Sequence, residues 1–235
     1  MYQQYRQIKG GHPKDIVTGK PVALGGIEGR NSATGYGGFY CLDTILKSNL
    51  ISTNIPAACE DIQVAVQGFG KVGYWFAEKC FRQGLKVVAI SNEFGGCYCE
   101  HGINVMAARK CLDESGGKEW GQGEAISNDE LLSMNVDILA PAAIENVITK
   151  DNADKVKAKM VLELANGPTT NEADALLNQK GIPVIPDILA NAGGVVVSYF
   201  EWLQNRTARN WTLEQVETDL KSMMEYATEK PCRSR

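Results

Sequence analysis

"VQGFGKVG", residues Val66 to Gly73, follows the apolar run 62–66 and opens a stretch, 71–84, in which Val72, Phe76 and Cys80 recur at helical spacing. Gly68, Gly70 and Gly73 stand in the order G-x-G-x-x-G. Each glycine has its own physical duty there: the first makes a tight turn, the second lets a pyrophosphate reach the backbone, and the third lets the helix pack close to the strand. Alone, the string is a weak signal and fits a bare turn without ligand. Its setting strengthens it, because Gly84 ends the helical pattern and "KVVAI" at 86–90 reads as the next strand. Strand, helix and strand make a βαβ unit whose exposed N–H groups and positive helix end would hold an anion.

Working outward, the tip of that second strand reads "AISNEFGG", residues 89–96. A dinucleotide turn calls for a carboxylate near this point to hold the ribose hydroxyls. Asn92 offers an amide, which does not repel a 2′-phosphate, whereas Glu93 favours NAD if it turns inward and is otherwise a solvated loop residue. NAD and NADP both stay open. Further along, 136–141, 160–164 and 183–186 read as strands, and 103–113, 128–134 and 171–179 as helices, the second with a capping box at Ser127 and Glu130. Two closing helices start at Gly193 and behind a Thr212/Gln215 cap. The alternation predicts an α/β fold, a Rossmann-type doubly wound, mostly parallel sheet. Upstream, "VTGKPVALGGIEGRNSATGYGG", 17–38, carries seven glycines and feeds a helix from Ser32 or Thr34 to about Leu50.

Composition narrows the function. The 235 residues are 44% apolar with net charge −4, enough for a core and without the basic stripe that nucleic acid requires. No apolar run approaches the roughly 20 residues of a membrane span. The first fifteen residues lack the apolar centre of a secretory signal, so the cytosol is the default and an organellar matrix the other setting. Seven cysteines, an odd number, read as reduced thiols. Cys97, Cys99 and His101 do not have zinc-ligand spacing, and no metal is expected. His12 and His101 have no Ser or Cys partner at a recognisable spacing, which leaves nucleophilic catalysis unsupported. A glycine-rich first turn also occurs in nucleoside-cofactor methyltransferases, but "ANAGG" (190–194) and the opening loop argue against that reading.

Five stretches in order, "VTGKPVALGGIEGRNSATGYG", "VQGFGKVG", "PAAIENVIT" (141–149), "ANGPTT" (165–170) and "GIPVIPDILANAGGVVVSYFEW" (181–202), resemble the glutamate, leucine, phenylalanine and valine dehydrogenase family, and its glutamate enzymes most closely. The resemblance covers about residues 16–205. It implies NAD(P)-dependent oxidative deamination of glutamate to 2-oxoglutarate and ammonia, with this chain as the cofactor-binding domain, 31–235, behind a residual inter-domain segment, 1–30. The implied cofactor contacts are Arg30 on the domain-joining loop, Thr34 and Asn191 at the nicotinamide and Asn166 at its ribose. Gly68, Phe69, Gly70, Lys71, Val72 and Gly73 form the phosphate turn, with Asn92, Glu93, Ala142 and Ala143 beside it. Ser198 would help hold the substrate's side-chain carboxylate. Thr34 and Asn191 also suit plain helix caps, and Ser198 a core-facing hydroxyl.

Departures from the family pattern carry their own expectations. Leu164 stands where "EGANGP" has glycine, and is expected to crowd the cofactor or shift the turn. The family's substrate domain, with its catalytic lysine and aspartate, precedes the matched segment and is expected to be absent, and the closing helices to be cut short. Lys20 reads as a surface lysine and Asp187 as a cap or turn residue, so no catalytic residue is assigned. The face turned toward a partner domain should be apolar or glycine-rich, and the chain should be only moderately soluble or associate with itself.

Overall fold

Seven short strands form one sheet: β1 (Gln63–Gln67), β2 (Lys86–Asn92), β3 (Gly95–Tyr98), β4 (Glu124–Ile126), β5 (Ile138–Pro141), β6 (Met160–Leu162) and β7 (Val184–Ile185). The spatial order is β4-β3-β2-β1-β5-β6-β7. This computed structural model describes residues 2–9, 14–48, 50–51, 54–207 and 209–232. His12 and residues 52–53 lie outside the described residues, as does the side chain of Cys232. β1, β2, β5, β6 and β7 run parallel, while β3 and β4 add antiparallel at the β2 edge.

Strand residues alternate between two cores, as the two-residue period of a pleated strand requires. Val64, Val66, Ile138, Ala140, Met160 and Leu162 face one apolar cluster, whereas Ala65, Leu139 and Val161 face the other. β2 breaks the alternation. Val88 and Ala89 both enter the second cluster, because the register slips by one residue where Val64 pairs with Val87 and Ala65 with Ala89.

Helices cover both faces, as the alternation predicts: α2 (Ala33–Ser48), α3 (Lys71–Arg82), α4 (Val105–Ser115), α5 (Asn128–Leu132), α6 (Asn171–Gln179), α7 (Asp187–Ala190), α8 (Gly193–Thr207) and α9 (Leu213–Cys232), with an exposed α1 (Tyr2–Lys9) ahead of them in the chain. Both capping boxes form: Ser127 with Glu130, and Thr212 with Gln215.

The glycines of the opening stretch have a packing purpose. A Cβ on Gly35 would stand 2.5 Å from the Phe76 nitrogen in α3, and one on Gly37 would stand 2.8 Å from Gly193 Cα in α8. One on Gly38 would meet Leu164 Cδ2 at 2.4 Å. α2 is therefore pressed against α3, α8 and the end of β6, at distances that only glycine permits. Upstream, Glu201 of α8 accepts hydrogen bonds from the backbone N–H of Gly19 (2.8 Å) and Lys20 (3.2 Å) and pairs with Lys20 Nζ at 2.6 Å. The expectation of a surface lysine fails: the Lys20 side chain is 4% exposed and that of Glu201 0%. The cause is a carboxylate 181 residues away in sequence, buried in the middle of a helix.

Candidate functional site

β2 and β5 lie on opposite sides of β1, so the order in which strands join the sheet reverses there, and ligands of such sheets bind outside the carboxyl ends of the strands at that switch. The Gly68–Gly73 turn sits there. Gly68 has φ +95°, and a Cβ on it would collide with Ala143 beyond β5 at 2.7 Å. Gly73 is pressed against Gly68, whose carbonyl oxygen would lie 1.8 Å from an added Cβ. Around Gly70 there is open space, nothing lying within 4 Å of an added Cβ, and Gly70 is the N-cap of α3 with no side chain bonded across it. The three glycines therefore fill three different roles, and the second leaves the backbone N–H groups of the helix start open to an anion.

The flanking residues divide. Lys71 is exposed at the head of α3 and Val72 half-buried behind it. Phe69 is 3% exposed, its ring edge-on to Tyr74 and Trp120, so its side chain serves the core and only its backbone belongs to the turn. Ala143 is exposed and Ala142 half-buried, with the Ala142 N–H bonded to Gln67 O at 2.7 Å.

A cavity of about 300 Å³ joins Phe69 and Gly70 to Asn92, Glu93, Arg109 and Gly117. Asn92 does not present its amide to a ligand. It donates to Gly117 O (2.7 Å) and accepts from the Phe94 N–H (2.9 Å), which fixes the strand tip. Glu93 is exposed, and Arg109 is forked onto Asp113 at 2.7 and 3.1 Å. Arg109 and Gly117 escaped the sequence reading. Their only local signal is the i,i+4 spacing of Arg109 and Asp113, which any solvated helix face can carry.

At the other end of the sheet edge, Asn191 Nδ2 donates to Asn166 Oδ1 at 2.8 Å, joining residues 25 apart in sequence. Asn191 closes α7. Thr34 and Arg30 flank the start of α8: a Cβ on Gly194 would stand 2.5 Å from Thr34 Oγ1 and 3.4 Å from Arg30 Nη1. Arg30 Nε is buried without a hydrogen-bond partner. Ser198, half-buried, lies one helical turn beyond Gly194 and so on the same side of α8. Leu164 overturns the crowding expectation. It is 2% exposed and packs under Gly38, so its side chain fills the core and not the cofactor side, and its N–H donates to Pro141 O at 3.0 Å.

Cys97 is buried in β3, where burial lifts its thiol pKa to about 12, and His101 is exposed two residues past Cys99. Among the described residues no three His, Cys, Asp or Glu side chains gather as a metal site would need. Cys59, Cys80, Cys97, Cys99 and Cys111 are free thiols. No helix among the described residues is long and apolar enough to cross a membrane.

Comparison with known proteins agrees with this geometry. The profile of the glutamate/leucine/phenylalanine/valine dehydrogenase family matches residues 25–234. An NADP-specific glutamate dehydrogenase of Synechocystis sp. is 46% identical, over 95% of this chain and 53% of its own length. A glutamate dehydrogenase of Thermotoga maritima is 48% identical, over 90% and 50%. A hetero-hexameric glutamate dehydrogenase of Thermus thermophilus superposes with a TM-score of 0.89 at 31% identity, covering 99% of this chain and 54% of its own. The chain thus spans about half the length of the curated relatives it matches. With its glycine turn at the switch point and its matched span of 25–234, the chain belongs to the glutamate/leucine/phenylalanine/valine dehydrogenase family.

Proposed function

We propose that this chain carries the cofactor-binding part of an enzyme that oxidatively deaminates glutamate to 2-oxoglutarate and ammonia with NAD or NADP. Gly70 carries the reading: of the three turn glycines it faces open space, at a helix start on the switch point of the sheet. The residues present fit a dinucleotide: the open turn for its pyrophosphate, the 300 Å³ cavity for the adenosine side, and the Asn166–Asn191 pair with Thr34 for the nicotinamide side. When bound, that group supplies the hydride-accepting ring. Residues 31–235 act as the dinucleotide-binding unit, residues 1–30 lead into it from a substrate domain, and Ser198 helps hold the side-chain carboxylate of glutamate.

The acid–base groups come from elsewhere in the assembled enzyme. Lys20 is locked onto Glu201, and the Asp187 carboxylate already accepts two backbone N–H groups, so neither is offered to a substrate. That engagement favours a second reading for the chain by itself, a dinucleotide-binding module without turnover. Ile188, Val195 and Tyr199 are 83%, 72% and 49% exposed on the two helices that carry Asn191 and Ser198. This apolar strip supports association with a partner domain or a second copy, and the free thiols suit the cytosol.

Titrating the chain with NADH and with NADPH, followed by nucleotide fluorescence, tests the reading and ranks the cofactors. The cavity holds a carboxylate, Glu93, suited to ribose hydroxyls, and a guanidinium, Arg109, suited to a 2′-phosphate. Saturable binding of either nucleotide is expected. Binding of S-adenosylmethionine with no response to NADH or NADPH would overturn it.

A further inference from the structure

Between the turn after β6 and the short helix α7 runs a chain of hydrogen bonds that neither the glycine turn nor the substrate side explains. Asp187 Oδ2 accepts the Gly167 N–H at 2.8 Å, and its Oδ1 accepts the Ile188 N–H at 2.6 Å. One helical turn later, Asn191 Nδ2 reaches Asn166 Oδ1 (2.8 Å) and Ala165 O (3.4 Å). Residues 187 and 191 share a face of α7, so the helix grips the 165–167 turn at two points one turn apart. Behind the grip, Glu163, 7% exposed, accepts the Asp187 N–H at 3.0 Å. Pro186 at the N-cap has no side-chain donor or acceptor, so the buried carboxylate caps the helix from the neighbouring strand.

We infer that Asp187, seated by Glu163, is a positioning residue that sets the Asn166–Asn191 pair for the nicotinamide half of the cofactor. The inference rests on the cofactor reading above. Asn166 sits on an exposed turn, and Gly167, at φ +53°, has open space where a Cβ would stand; its carbonyl accepts the Asn146 N–H at 2.9 Å, and its N–H is left to Asp187. Without the Asp187 anchor the Gly167 N–H loses its charged acceptor, and Asn166 its fixed angle to Asn191. A carboxylate accepting two backbone N–H groups is a charge-assisted contact, stronger than a neutral one.

The test compares NADH with ADP-ribose, which shares the adenosine and pyrophosphate but lacks the nicotinamide, on the whole chain. Asp187→Ala is expected to weaken NADH about tenfold, the value of one lost charge-assisted contact, and ADP-ribose less than about twofold. Asp187→Asn, which keeps one acceptor for the Gly167 N–H, should recover most of the NADH affinity. If Asp187→Ala fails to fold, Glu163→Ala and its conservative partner Glu163→Gln carry the same comparison. Equal losses for both ligands, or no loss for either in a folded variant, would overturn the positioning role alone. A folded wild-type chain that binds neither ligand would overturn the cofactor reading and this inference together.

Discussion

Gly68, Gly70 and Gly73 show how far single residues can be read. Their spacing pointed to a turn, a ligand approach and a close packing contact, and the structure gives each glycine a separate steric surrounding that matches. The difference between them is testable without any cofactor. Gly73→Ala drives a methyl group into the Gly68 carbonyl, and is expected to lower unfolding stability by about 2–3 kcal/mol in urea. Side-chain destinations were less legible. Lys20, in "TGKP", reads as solvated because lysines are rarely buried, and its partner Glu201 is visible only in the fold; Leu164 reads as obstructive because only tertiary packing reveals the hollow under Gly38. Phe69 sat inside the motif, yet its ring belongs to the core. Thiol reactivity should follow burial as well: Cys59, exposed, reacts with iodoacetamide at pH 8, while Cys97, with its pKa raised to about 12, stays unmodified in the folded chain.

At the scale of elements, short apolar runs located the parallel strands and helical periodicity the long helices, whose buried face repeats several times. α6 falls at 171–179, as its pattern and Gly181 predict. β3 (Gly95, Gly96, Cys97, Tyr98) and β4 (Glu124, Ala125, Ile126) lack the run of apolar residues that marks the parallel strands, so neither stood out. The opening stretch feeds a helix from Ser32 or Thr34 in the sequence, and α2 starts at Ala33. Three of its glycines lie within α2, bringing that helix against α3, α8 and Leu164. Its first part is held down by Glu201, which satisfies two backbone N–H groups and one ammonium. Glu201→Ala leaves both N–H groups without their acceptor and the buried Lys20 ammonium without its counter-charge, with only the Val17 carbonyl to accept from it, and is expected to cost about 3–5 kcal/mol by denaturant titration. Replacing both Lys20 and Glu201 by apolar residues should cost less than the single change.

For the whole molecule, the candidate site is a line of loops along one edge of the sheet, and only the order of the strands brings them together. Sequence could name Asn166 and Asn191 separately, but their contact follows from β6 and β7 pairing in parallel. The same edge carries a pH dependence. Burial, above all other causes, raises the Glu163 pKa over its ordinary 4.5, with Asp187 adding to the rise. The folded state then holds this proton more firmly than the unfolded chain does. Its contribution to stability is complete below pH 4.5 and is lost as the pH rises through the folded value. Wild-type stability should therefore decline relative to Glu163→Gln as the pH is raised from 4 to 7, and a constant difference would refute the assignment.

Calorimetric titration of NADH, or of NADPH if that is the preferred nucleotide, into the wild-type chain and into Gly70→Val tests the site most directly. The added side chain points into open space at a φ of −75°, so it spares the fold and blocks only what lies over the turn. Saturable binding by the wild type, lost in the variant with an unchanged thermal transition, is the predicted result. Equal binding by both chains would place the dinucleotide elsewhere and contradict the account.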